Sequence, residues 1–202
     1  MRLLYGGLLA MALTIAFLLQ EWMPALAAWT EALTGLPVHD AGWTRNARIL
    51  LLAAFFFPAA LTVSYPGMLA LAFATGLLWD AREALVLEDD PTWMVQGTGW
   101  GGTLLLLLLL GSLIQGVRPL YQAGHWLIPL ALCLPCIAIL VVGEFTWNHV
   151  RSGSFALPPG FWGKAALTTF LTWLPAPLVL FLLTRGLAAT GCEPAATPGF
   201  SR

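Results

Sequence analysis

Charge is what this sequence has least of. Nine Lys and Arg and ten Asp and Glu residues make up 9% of its 202 positions, where a soluble domain carries roughly a quarter. With 59% of the chain hydrophobic, no water-compatible surface can be assembled from what remains. The net charge of -1 excludes a basic face, so nucleic acid is not expected as a partner. Cysteine is also scarce. Cys133 and Cys136 lie inside an apolar stretch and Cys192 lies near the end of the chain, which excludes a secreted disulfide framework. Three histidines, His39, His125 and His149, are too few and too scattered for a metal or haem site. His125 and His149 bracket a single apolar stretch and so fall toward opposite faces of a membrane, and no cofactor or metal is expected.

What the chain does have is long apolar runs. A membrane-crossing helix needs about 20 apolar residues at 1.5 Å each, somewhat fewer in a thin bilayer. On that rule the expected spans are 3–19, 49–63, 66–79, 103–117, 126–143 and 165–183. The fold class is therefore all-α, a polytopic bundle of about six short transmembrane helices in a single domain over 1–188, followed by a disordered tail at 189–202. The apolar stretch from Ile49 to Trp79 is too long for one upright helix. Ser64-Tyr65-Pro66-Gly67 is a turn signal that divides it, the alternative being one tilted helix kinked at Pro58 and Pro66. The stretches from Trp29 to Arg48 and from Asp80 to Gly102 read as loops in water. At the amino terminus, Arg2 before an apolar run and Ala25-Leu26-Ala27 allow a cleaved signal peptide, but the run from Leu3 to Leu19 is long for one and reads as a retained first helix.

Arg2, Arg118 and Arg185 abut span ends, which favours both termini inside the cell. Trp22, Trp79, Trp100, Trp126, Trp147 and Trp162 fall near expected boundaries, as interfacial indole rings do.

Little chemistry is evident. Cys133-Leu134-Pro135-Cys136 has the spacing of a redox dithiol, yet nothing nearby would activate a thiolate, and small packing residues are the simpler reading. Glu144, Asn148, His149 and Arg151 cluster where a helix would reach water, but no nucleophile motif accompanies them. Asp80 closes the apolar stretch Gly76-Leu77-Leu78-Trp79. An ionisable group at that depth faces protein, water or a partner rather than lipid. Gly67, Gly76, Ala70, Ala72 and Ala74 would let a neighbouring backbone come close. No enzyme is expected.

The order of these features resembles the rod shape-determining membrane protein family MreD. Gly76-Leu77-Leu78-Trp79-Asp80 matches its Gly-Leu-Leu-x-Asp signature after a short hairpin. A leucine-rich helix closing at Arg118, a helix ending in Glu144, and a last helix carrying Pro175 and Pro177 and reaching Arg185 follow in the same order. An acidic insert from Ala81 to Val95 is additional to the pattern. The resemblance implies a non-enzymatic scaffold of the bacterial cytoplasmic (inner) membrane that binds an MreC-like bitopic protein and supports peptidoglycan synthesis and rod shape. It also implies a fold similar to the S components of energy-coupling-factor transporters, so a small-molecule-binding transporter subunit is the alternative. The implied partner-binding residues are Gly76, Asp80, Arg118 and Glu144, and the implied partners are membrane lipids, the bitopic protein and the cell-wall synthesis complex.

Overall fold

The computed structural model describes residues 2–34, 49–86, 101–152 and 160–189. The cores of the expected loops at 35–48 and 87–100, and the tail from 190 onward, lie outside these. Every element among the described residues is helical: α1 (Arg2–Thr34), α2 (Leu51–Thr62), α3 (Tyr65–Val86), α4 (Gly102–Gly116), the short α5 (Arg118–Gln122), α6 (Leu127–Ser152), α7 (Phe161–Trp173) and α8 (Ala176–Ala189).

The centre of the bundle is α2. Its residues from Leu52 to Thr62 are all buried, which requires an element that is apolar on every side. Around it the other helices bury one face and turn the other outward. Along α1, Tyr5, Leu9, Leu13 and Gln20 point in, while Leu4, Met11, Ile15, Leu18, Leu19 and Trp22 are exposed. On α4, Leu107, Leu110 and Ile114 are buried, while Leu105, Leu109 and Leu113 face out. A soluble surface would not carry such a belt of aliphatic side chains, whereas lipid accepts it.

Hydrogen bonds and close contacts set the directions of the helices. The Tyr5 hydroxyl donates to Thr62 Oγ1 at 2.7 Å, and the Leu52 N–H donates to Gln20 Oε1 at 3.0 Å, so α1 and α2 run antiparallel. Two residues, Val63 and Ser64, turn α2 into α3; Pro66 follows in the first turn of α3, where its missing N–H has no intrahelical partner to lose. Contacts of Gly76 with Leu104 and of Gly111 with Met68 make α3 and α4 antiparallel. The Trp173 indole donates to the Leu130 carbonyl at 3.0 Å, while the Phe145 and Phe161 rings lie 4.2 Å apart, so α6 and α7 are antiparallel as well. Gly186 rests against the side chain of Leu8, which puts the end of α8 beside the start of α1.

Several helix boundaries differ from those expected. The first helix continues to Thr34, through part of the stretch read as a loop. Trp79 does not end α3, which runs on to Val86. Glu144 does not end α6, which reaches Ser152. The expected span at 165–183 is two helices separated at Leu174 and Pro175, because Pro175 has no N–H to continue the ladder. Among the described residues, three segments are long and apolar enough to cross a membrane: Leu4–Trp22, Leu127–Thr146 and the bent Phe161–Ala189. By the same measure α2 and α4 are shorter apolar helices.

Candidate functional site

A helix leaves about four N–H groups without intrahelical acceptors at its start and four carbonyls without donors at its end. Inside a membrane, water cannot satisfy them. Both ends of the buried α2 are instead met by side chains from other helices. At its start, the Leu50 N–H donates to Thr172 Oγ1 of α7 at 3.0 Å, beside the Leu52–Gln20 bond. At its end, the Gln115 Nε2 of α4 donates to the carbonyls of both Ala60 and Val63. Thr62, which receives the Tyr5 hydroxyl, passes its own proton to the Ala59 carbonyl at 2.8 Å. Tyr5, Gln20, Gln115 and Thr172, polar residues of three apolar helices, are thus fastenings of one central helix.

A second polar group surrounds the start of α4. Gly101 adopts a left-handed φ of 99°, open to glycine at little cost. Its N–H donates to Asp80 Oδ2 of α3 at 2.7 Å. The Asp80 carboxylate thus acts as an N-terminal cap supplied by a different helix, with its negative charge at the positive end of the α4 dipole. It is 8% exposed, so it is neither a water-facing helix end nor part of an aqueous loop. Gly76, one turn earlier, makes this possible, since a Cβ built there would lie 2.8 Å from the Leu104 Cα. On the far side of α4, Thr103 Oγ1 donates to Glu144 Oε1 of α6 at 3.4 Å, with both residues buried.

Three of the four residues implied as partner-binding, Gly76, Asp80 and Glu144, thus gather around the first turn of α4. Arg118 does not join them. It lies past the opposite end of α4, about 22 Å away at helical rise. What the sequence reading missed is Gln20, which falls just past the expected span 3–19 although its side chain is 4% exposed. A single amide among apolar residues was the available signal, and it reads equally well as a boundary.

Cys133 and Cys136 are free thiols fully buried in α6, and the Cys133 Sγ–H donates to the Pro129 carbonyl at 3.3 Å. The folded protein is accordingly expected to leave both thiols unlabelled by a charged, membrane-impermeant maleimide, with labelling appearing only on unfolding. A mass-shift assay checks this, and prompt labelling of either cysteine in the folded state would contradict the packing role. Among the described residues, no group of three or more His, Cys, Asp or Glu side chains is placed to hold a metal ion. The His39 position and the side chain of His149 lie outside what is described.

An all-helical core, a lipid-compatible outer belt and polar groups used as interhelical fastenings define a helical membrane protein. No family model, no curated protein and no solved structure matches the chain.

Proposed function

We propose that this chain is a non-enzymatic membrane scaffold of the bacterial cell-elongation machinery, a divergent relative of the MreD family. In this reading it crosses the cytoplasmic membrane six times, through α1, α2, α3, α4, α6 and the bent α7–α8 unit, in a bundle similar to the S components. The antiparallel pairings and the meeting of Leu8 with Gly186 support an even number of crossings, with both ends of the described chain on one side.

The observation that carries the scaffold reading is the α3–α4 pair. Asp80 and Gly76 lock it from within, so neither residue is available to a partner. The pair presents instead two outward stripes, Leu69, Phe73 and Leu77 on α3 and Leu105, Leu109 and Leu113 on α4. Both repeat every four residues, the spacing at which side chains line one helix face. A transmembrane helix of a bitopic partner has there a ridged, rigid surface whose ordering cost is already met within the chain.

Co-purification of an MreC-like bitopic protein with the chain from bacterial membranes tests the reading. The double variant Phe73→Ala and Leu109→Ala is expected to lower partner recovery several-fold while the protein still inserts and folds. The matching pair Met11→Ala and Leu18→Ala on α1 should leave recovery unchanged. Equal recovery with all variants would remove the α3–α4 face from the proposal. Failure to recover any such partner with the parent chain would remove the scaffold itself. The transporter-subunit reading has one observation in its favour, the convergence of Gln20 and Thr172 on the start of α2.

A further inference from the structure

The start of α2 is rich in donors. Of the backbone N–H groups left over there, side chains take up those of Leu50 and Leu52. The acceptor for Leu52 is the Gln20 oxygen, so the Gln20 amide lies directly against the first turn of α2. The other half of that amide, Nε2, is buried and has no hydrogen-bond partner among the described residues. Leaving a buried amide donor unmade costs about 1–3 kcal/mol. The positive end of the α2 dipole points at the same place. Oxygen acceptors, preferably anionic, are therefore what this position lacks.

The surroundings indicate the kind of molecule that could bring one. α1 and α7 each pack on α2 but share no extensive contact with each other. Their outward residues on either side, Leu19 and Phe170, are about half exposed and apolar. The start of α2 is itself buried, and the two helices packed on it carry outward apolar side chains that suit an alkyl chain.

We propose that the start of α2, with Gln20 as the recognising side chain, binds the anionic oxygens of an amphiphile whose tail lies between α1 and α7. Carboxylate and phosphate monoester share this chemistry, and they can come from a free fatty acid or from a phospholipid. The site does not depend on the scaffold reading.

Thermal unfolding of the full chain in a neutral detergent tests the assignment. Four additives are compared: sodium decanoate, 1-decanol, dioleoylphosphatidic acid and dioleoylglycerol. Decanoate or the phosphatidic acid is expected to raise the midpoint by roughly 4 °C or more in a saturable manner, and whichever acts identifies the source. The two uncharged molecules should not. Gln20→Leu removes the donor and should abolish the response. Gln20→Glu serves the same purpose should the leucine variant fail to fold, because it keeps an oxygen for the Leu52 N–H while replacing the free donor by an acceptor. No rise with either anion, an equal rise with the uncharged molecules, or an undiminished rise in the variants overturns the site.

Discussion

Replacing Gly76 by alanine is expected to destabilise the folded protein by about 1–3 kcal/mol, and replacing it by leucine to prevent native packing of α3 against α4. Overpacking a tight contact costs roughly that much per added methyl when neighbours must shift. Here the neighbour cannot rotate away. The new Cβ would meet the Leu104 Cα at 2.8 Å and its Cβ at 3.0 Å, so the helix backbones themselves must separate. Separation would also draw Asp80 from the Gly101 N–H and uncap α4. Gly111 provides the comparison. A Cβ there would meet Met68 Sδ at 2.7 Å and Phe56 Cζ at 2.9 Å, both at the far ends of side chains that can move. Gly111→Ala should therefore be the milder change. Unfolding midpoints of the purified variants check the order, and equal losses would contradict the backbone contact as the cause.

Substitution of Gln115 should have an effect of similar size at the other end of the bundle. One amide group serves two carbonyls at the end of α2, that of Ala60 within the helix and that of Val63 just past it. Gln115→Leu leaves both without that donor, at about 1–3 kcal/mol for each buried group left unsatisfied. Gln115→Glu should be worse, since it sets a carboxylate oxygen against the same carbonyls. Thr172→Val, which removes the acceptor of a single N–H, should be the mildest of the three. Stability measured in one detergent for all three variants checks that ranking. A glutamate variant as stable as the parent would refute the role given to the amide.

The apolar runs made the helical membrane class legible, because composition and length alone decide it. The small residues around Gly76 were also legible as a place of close approach. Helix ends were not, for one physical reason. Hydropathy treats Asp80 and Glu144 as groups that must reach water, whereas here one oxygen of each carboxylate accepts from a neighbouring helix, from the Gly101 N–H and the Thr103 hydroxyl respectively. The sequence does not say which polar residue will meet which. Gln20 was left outside the first span on the same ground, because its partner Leu52 lies 32 residues further on. The division of the last span at Pro175 was signalled by the proline, yet proline is tolerated in membrane helices often enough that the signal alone is ambiguous.

The fastening of α2 also bears on how the protein is made. At 12 residues, or about 18 Å, this helix is too short to hold itself across a bilayer. The N–H of Leu50, which caps its start, is met by Thr172, 122 positions further along the chain. While the ribosome is still producing the middle of the protein, the start of α2 has no such acceptor, and only the arrival of α7 supplies it. The start of α2 is consequently closed only when α7 arrives, and a chain stopped before residue 172 would lack the acceptor of the Leu50 N–H.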